Sequence, residues 1–535
     1  MIRSSCAAKA KRDVSTPMIV EQVRSIPVRC RSTLLLVLGI SLISACVSGA
    51  RVPDPSKSCD SDVRSKSQLP NVVVIMTDDQ TSEQLRVMPN VQELLSAQGT
   101  SFDNMVVNDS DCCPSRATFL TGLQSRHHGL LWNTPPTGGF ANFEGQETTL
   151  PVVLSRGGYQ TGFVGKYMNR FGERNEDRVV PPGWTDFRGL VYPAESVYYE
   201  AAFFENGQVV ETAPTEYVTN AITDRALAMI NNFSATGDPF FVQIGHVAPH
   251  SPGGIPLSQI NPDWVLDVLS DDYESLPIPE SRYRGKFTRE ELPKSPAFNE
   301  EDISDKSVIN QRRIMDSSVI DEVAERYRRS LETLLSVDDS VGAVIAALEE
   351  NCTLDETYVI FTSDNGQFFG EHRFPLGKYL PYRPSRSVPL IVRGPGVQRS
   401  VTLRSVVSNV DLAPTIAEWT STTLIRESDG LSLAKMLEQG REAERGRAVY
   451  LEGHAPEGRM IIPFDAVYTG DVLYIEMSDG SVEFYDLVID PDELENRSTD
   501  PAYATAVPDA ATLLRELRDC SGSLCGTIGS HLSVP

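Results

Sequence analysis

The sequence predicts an α/β fold: a large mixed, mostly parallel sheet sandwiched by helices, followed by a small C-terminal antiparallel sheet with one helix. Three observations carry this expectation. Continuous apolar, β-branched runs recur at residues 71–77 (NVVVIMT), 239–245 (PFFVQIG) and 357–362 (TYVIFT), without the alternation of half-exposed strands. Stretches with apolar residues at helical spacing separate them, the alternation expected of a parallel sheet. After about residue 445 the pattern changes to short strands that follow one another directly.

In chain order, the strand at 71–77 ends in Asp78-Asp79, and residues 89–99 read as a helix with a glycine stop at Gly99. A strand is expected near 101–107, then a helix over 115–121 (SRATFLT) opening just after Pro114. Residues 150–154 read as helical, 159–164 as extended and 217–233 as an amphipathic helix. Residues 322–350 form a long helical stretch whose apolar stripe includes Leu331, Leu334, Val341, Ile345 and Leu348. The strand at 357–362 ends in Ser363-Asp364-Asn365-Gly366, and that at 388–392 in Arg393-Gly394-Pro395-Gly396. Short strands follow at 448–451, 465–468, 472–477 and 482–486, with a last helix over 508–518. The polar, proline-bearing stretch 251–321 reads as a long loop insertion over one face. A catalytic body over 71–445 and a C-terminal subdomain over 446–535 follow from this pattern.

With 535 residues, 40% of them hydrophobic, the chain can bury a large core. Its formal charge is −25; the first 45 residues hold seven Lys/Arg and two Asp/Glu, so the remainder carries −30. Such a body repels polyanions, which argues against nucleic acid as a partner and requires any anionic substrate to be drawn in by a local group of cations. The N-terminus reads as an export signal. Arg24, Arg29 and Arg31 precede an apolar run over 33–45 that is too short to span a bilayer. Leu42-Ile43-Ser44-Ala45-Cys46 resembles a bacterial lipobox, so residues 1–46 are expected to be a leader and 47–70 a flexible tether. The protein is then an envelope lipoprotein held to the membrane only through Cys46, or else secreted or periplasmic. Of nine cysteines, Cys520 and Cys525 are spaced to staple a short loop, whereas the adjacent Cys112 and Cys113 have no zinc-site spacing.

Sites in open α/β sheets form beyond the carboxyl ends of the strands, where Asp78-Asp79 and Asp364-Asn365 stand. Three carboxylates and an amide oxygen at one point call for a hard dication, Ca²⁺ or Mg²⁺. The alternative, that each pair only caps the next helix or turn, weakens once two buried strands end this way.

The segment 112–122 (CCPSRATFLTG) resembles the sulfatase signature Cys-x-Pro-Ser-Arg with its aliphatic-Thr-Gly ending, in which the cysteine becomes formylglycine. The one-residue gap before Pro114 makes that cysteine Cys112, with Cys113 at the variable position. Other landmarks are similar to the same family over about residues 71–500: Gly165-Lys166-Tyr167, Ala248-Pro249-His250-Ser251-Pro252, Gly377-Lys378, and 388–396 (VPLIVRGPG). The wording is most similar to the N-acetylglucosamine-6-sulfatases, members of the alkaline phosphatase superfamily. The resemblance implies metal ligands at Asp78, Asp79, Asp364, Asn365 and the formylglycine of Cys112, with Ca²⁺ as the usual metal. It places Arg116 on the formylglycine hydrate and Lys166, His250 and Lys378 around the sulfate. Lys378 stands eleven residues before Pro389, the family's spacing, with Tyr382 at the position of its common tyrosine. A formylglycine-generating enzyme is an implied partner, and the implied substrate is a sulfated saccharide or an aryl sulfate.

Three positions depart from the family pattern. Met168 stands where many sulfatases have histidine, Arg383 where an acidic residue is common, and Ser387 where a basic one is. His246, His372 and Arg373 lie near site elements and are candidate rim residues. The expected chemistry follows from charge: a sulfate monoester repels nucleophiles, so a dication and cations must absorb that charge. One hydroxyl of the aldehyde hydrate attacks sulfur and displaces the alcohol, with His250 or Lys378 in place to protonate it; the other expels sulfate by regenerating the aldehyde. Two other functions compete: a phosphonate monoester or phosphodiester hydrolase of the same superfamily, and a catalytically inactive surface glycan-binding protein.

Overall fold

The computed structural model describes residues 69–252, 276–306, 312–443, 446–455 and 462–529, with 532 and 534. The leader 1–46, Cys46 and all but the last two residues of the 47–70 tether lie outside the described residues, as do 253–275 and 307–311 of the expected insertion. Among the described residues no helix is long and apolar enough to cross a membrane.

The strands are β1 (Asn71–Asp78), β2 (Thr100–Phe102), β3 (Met105–Val106), β4 (Gln160–Gly165), β5 (Asp186–Leu190), β6 (Ala202–Glu205), β7 (Gln208–Glu211) and β8 (Phe240–Pro249). They continue as β9 (Thr357–Ser363), β10 (Leu390–Arg393), β11 (Val401–Leu403), β12 (Val407–Ser408), β13 (Val449–Gly453), β14 (Phe464–Tyr468), β15 (Val472–Met477) and β16 (Val482–Asp486). The helices used below are α1 (Cys112–Thr121), α2 (Ser125–His128), α3 (Leu150–Arg156), α4 (Val218–Thr236), α5 (Ser317–Glu350), α6 (Arg383–Arg386), α7 (Leu412–Trp419), α8 (Ala434–Gln439) and α9 (Ala506–Asp519).

Ten strands form one sheet in the order β11-β2-β10-β9-β1-β8-β4-β5-β6-β7. Its centre, β9-β1-β8-β4-β5, is parallel, and antiparallel pairings of β10 and β6 flank it. The mixed, mostly parallel sheet expected from the sequence is therefore present. β1 is buried on both faces, which is why its sequence does not alternate. Val73 and Ile75 face the core under α4 and α5, while Val72, Val74 and Met76 face the one under α1, α3 and α7. Each such valine or isoleucine contributes about 1.5–3 kcal/mol relative to exposure.

The short strands pair consecutively, β13-β14-β15-β16, all antiparallel. α9 covers one face through Leu513, Leu514 and Leu517. The other face packs Leu451, Ile475 and Tyr485 against Val106, Phe368 and Tyr382 of the larger α/β layer. Cys520 and Cys525 form the expected disulfide.

Local differences have physical reasons. The helix expected after Pro114 opens at Cys112, because Asp111 caps it and Pro114 sits in the first turn, where no intrahelical N–H is required. Gly99 does not end its helical segment in a left-handed turn. Its backbone is extended, and a Cβ there would stand 2.1 Å from the Val392 carbonyl oxygen, so the glycine serves close strand approach. The β6–β7 hairpin lies outside the strands expected from the sequence, although Asn206-Gly207, both at positive φ, is a readable turn signal.

Candidate functional site

Strand register assembles the site. Thr77 pairs with Ser363, which sets the carboxyl ends of β1 and β9 side by side. The Asp364 N–H donates to the Thr77 carbonyl (3.1 Å) and the Asp79 N–H to Asp364 Oδ1 (3.2 Å). Asp79 takes a left-handed φ of 67°, a conformation that aspartate tolerates better than most residues. α1 packs Ala117, Phe119 and Leu120 under the sheet and so points Cys112 and Arg116, one turn apart, at these ends. The Ser115 hydroxyl donates to the Asp364 carbonyl (2.5 Å) and accepts from Asn409 Nδ2 (3.0 Å), which ties α1 to β9. Lys166 follows β4, His250 follows β8, and Lys378 comes from the loop before α6.

The nine residues expected to bind metal, hydrate or sulfate meet in one buried cluster. Arg116 donates from Nε to Asp364 Oδ2 (2.8 Å), from Nη2 to Asp78 Oδ2 (3.0 Å) and from Nη1 to the Lys166 carbonyl (2.6 Å). Lys166 pairs with Asp78 and lies 3.6 Å from Cys112 Sγ. Lys378 Nζ is 2.5 Å from Asp79 Oδ1 and 2.8 Å from the same sulfur. Cys112 Sγ is 3.6 Å from Asp78 Oδ1, and His250 Nε2 is 3.8 Å from Asp79 Oδ2. Asn365 Nδ2 donates to Asp79 Oδ1 (2.5 Å).

Burial pushes the Asp78 and Asp79 carboxyls up, yet Lys166 beside the first and Lys378 beside the second outweigh it and hold both below the ordinary range. Lys166 and Lys378 are correspondingly raised against their own desolvation. Burial, reinforced by Asp78, drives the Cys112 thiol well up, and Cys113 reaches about 12. Neither is a thiolate at neutral pH, so neither is a ready nucleophile as cysteine.

The donor set fits a hard dication. Ligand atoms of Asp78, Asp79, Cys112 and His250 all lie within 4.8 Å of one another. Asn365 Oδ1 is buried and accepts no hydrogen bond, an oxygen that a cation would satisfy. Asp78, Asp79 and Asp364 carry three negative charges against three positive ones on Arg116, Lys166 and Lys378. A dication therefore leaves the cluster cationic, as an anionic ester requires.

The three rim candidates make their side-chain contacts outside this cluster. His246 is fully buried, neither ring nitrogen has a hydrogen-bond partner, and burial lowers its pKa to about 3. His372 pairs with Glu300 (2.7 Å) and packs on Tyr382, and Arg373 donates to the carbonyls of Glu300, Glu301 and Arg312. Both of these hold loops together. Arg383 and Ser387 line one cavity of ≈ 210 Å³ with Glu83, Glu371, His372 and Asp492. Met168 packs in the core with Phe163 and Phe171.

Several supporting groups went unread. Cys113 accepts the Asn169 N–H at Sγ (3.1 Å) and donates its own N–H to Asn133 (2.8 Å). Tyr198 donates to the His250 carbonyl (2.8 Å). Glu195, on the same segment as Tyr198, lies in the field of Lys166 and His250, and burial lifts it to about 7. No local pattern marks Asn133, Asn169, Glu195 or Tyr198, which lie outside the motifs of the sequence.

The sulfatase family profile matches residues 70–422, and that of the N-sulphoglucosamine sulphohydrolase C-terminal region matches 370–520. An arylsulfatase of Volvox carteri is 33% identical over 364 residues, 65% of this chain and 55% of that protein. The human N-acetylglucosamine-6-sulfatase is 29% identical over 515 residues, 87% of this chain and 88% of its own length. A solved structure of a protein bound to its substrate D-glucosamine-2-N,6-O-disulfate superimposes with a TM-score of 0.68 at 24% identity, covering 84% of this chain and 98% of that one.

Proposed function

The chain belongs to the sulfatase family of sulfuric ester hydrolases, and on that premise we propose that it desulfates a sulfated sugar such as a 6-sulfated N-acetylglucosamine, through formylglycine formed at Cys112 and a bound Ca²⁺. The observation that carries this reading is the pair of ammonium groups, Lys166 and Lys378, set 3.6 and 2.8 Å from Cys112 Sγ beside three carboxylates. That sulfur marks where the hydroxyls of the modified side chain would stand. The match to the human N-acetylglucosamine-6-sulfatase, over 87% of this chain and 88% of that one, supports the choice of sugar.

Asp78, Asp79, Asp364 and Asn365, with the modified residue 112, would hold the metal. When present, the metal and the aldehyde hydrate supply an activated oxygen nucleophile that the neutral Cys112 thiol cannot. Arg116 keeps Asp78 and Asp364 aimed at one point. Lys166, Lys378 and His250 bind the sulfate oxygens, and His250 or Lys378 holds the proton for the departing sugar oxygen. Met168 is packed in the core, so the proton of the hydrate falls to the nitrogens already around Cys112. Export, lipidation at Cys46 and maturation by a formylglycine-generating enzyme complete the proposal; they rest on the sequence.

The test is a panel of sulfated mono- and oligosaccharides with desulfation read by mass, alongside an aryl sulfate and an aryl phosphodiester. Turnover of 6-sulfated hexosamine above the other sugars is expected. Faster phosphodiester turnover would assign the chain to phosphonate or phosphodiester hydrolysis. Native protein with unmodified Cys112 and no turnover would make it a glycan-binding protein.

A further inference from the structure

The chain enters the central sheet beside a cysteine that takes no part in the site. α5 ends at Glu350, and Cys352 follows it at a left-handed φ of 57°, half-buried. The Cys352 N–H donates to the Glu349 carbonyl (3.0 Å) and the Thr353 N–H to the Leu348 carbonyl (2.9 Å), so the helix end holds both residues. Thr357, the first residue of β9, pairs in register with Asn71, the first of β1. Its hydroxyl donates to the Thr353 carbonyl (2.6 Å) and accepts from Asn71 Nδ2 (3.3 Å). Cys352 therefore stands at the amino ends of β1 and β9, where Leu69 and Pro70 lead in, and Cys112 lies at the carboxyl ends. Tyr159 fixes the entry by donating to the Pro70 carbonyl (2.8 Å).

Cys352 is disulfide-bonded. Its partner is none of the other described cysteines: Cys112 and Cys113 are free thiols, and Cys520 bonds Cys525. The sequence leaves Cys6, Cys30, Cys46 and Cys59. The first two belong to the leader expected to be removed on export, and Cys46 is the residue expected to carry lipid on its sulfur. Cys59 is the one that keeps a thiol to give. It precedes Pro70 by eleven residues. That length of chain reaches about 35 Å when extended, ample to bring Cys59 back to the helix end beside Asn71.

We propose that Cys59 and Cys352 form a disulfide that clasps the segment before β1 to the end of α5. The S–S bond forms as both S–H bonds break. Two protons pass to solvent, and two electrons pass to the disulfide of an envelope thiol–disulfide exchange protein, which leaves as a dithiol. The pairing rests on the export expected from the leader, since disulfides persist outside the cytosol. The closed loop spans 59–352 and so removes conformational freedom from the unfolded chain across most of the catalytic body. Of the segment 47–70, only 47–58 then precedes the clasp, which shortens the reach of an anchor at Cys46. The disulfide is independent of the reaction proposed at Cys112.

Peptide mass mapping of the exported chain, alkylated without reduction, tests this. A Cys59 peptide bonded to a Cys352 peptide is expected, two hydrogens lighter than the pair apart and separated by reduction. Cys59→Ser and Cys352→Ser should each lower Tm by the same amount, with no further loss in the double variant, and leave aryl sulfate turnover per converted Cys112 unchanged. Alkylated Cys352, a mature chain that starts after Cys59, or a bond between the Cys352 residues of two chains overturns the pairing. A Cys59→Ser chain with the wild-type Tm does so as well. Should the variants not fold, the map of the wild type decides alone.

Discussion

Replacing Arg116 by lysine preserves the charge and removes the fork. The guanidinium makes three hydrogen bonds of 2.6–3.0 Å, two of them to carboxylates on different strands. A lysine ammonium on a stem of similar length reaches one carboxylate well and surrenders the second. A hydrogen bond to a charged group is worth about 1.5–3 kcal/mol, and a buried carboxylate left unpaired costs more than the bond itself. We expect a loss of about 2–4 kcal/mol in the fixed geometry of Asp78 and Asp364, or about 30- to 1000-fold in kcat/KM at 1.36 kcal/mol per tenfold. The assay is aryl sulfate turnover at saturating Ca²⁺, together with Ca²⁺ affinity. Rates are normalised to the fraction of Cys112 converted, by peptide mass, because Arg116 belongs to the signature segment. Turnover within threefold of wild type at unchanged Ca²⁺ affinity would show that Arg116 does not organise the site.

Chelation should abolish turnover, since Asp78, Asp79 and Asp364 then face only lysines and arginine, and added Ca²⁺ should restore it; full activity after exhaustive dialysis against EDTA would exclude the metal. Cys112→Ala should give a folded chain without turnover, whereas Cys113→Ala should still mature, at a cost of about 1–3 kcal/mol for the Asn169 N–H left without its acceptor; peptide mass and thermal unfolding distinguish the two. Glu195 titrates near 7 in the fold and near 4.5 unfolded, so its neutral form is favoured on folding. No cost arises below pH 4.5; above it stability falls until pH 7, by on the order of 3 kcal/mol. Glu195→Gln should therefore raise Tm at pH 8 and leave it nearly unchanged at pH 4.5, and an equal shift at both would refute the titration.

What the sequence revealed depended on how far each signal was confined to adjacent residues. β1, β8 and β9 were readable because strands buried on both faces need unbroken apolar runs. The acidic pairs were readable because they sit directly at strand ends. Asn133, Asn169, Tyr198 and Glu195 were not: each reaches the cluster through the fold, and each is an ordinary loop residue in its own neighbourhood. The sequence places the start of α1 after Pro114 because proline favours a first turn, whereas Asp111 caps the helix and the proline falls within that turn. His372 and Arg373 drew attention by proximity along the chain to Asp364, yet their side chains turn to Glu300 and to loop carbonyls.

The acidity of the protein and the charge of the ester it is proposed to cleave are reconciled at short range. A body carrying −30 cannot attract an anion from a distance. Within the cluster, however, every carboxylate is already matched: Asp78 by Lys166 and Arg116, Asp79 by Lys378, Asp364 by Arg116. A dication adds charge that no side chain in the cluster offsets, so the electropositive region exists only over the few ångströms around residue 112. Selectivity for the sulfated sugar must then come from contacts made as it enters. The cavity where Arg383 and Ser387 depart from the family pattern, with Glu83, Glu371 and Asp492 beside them, is the place to look for it. Restoring an acidic residue at 383 and a basic one at 387 should change KM for sugars and leave small aryl sulfates untouched; an equal change on both would place these residues in the reaction itself.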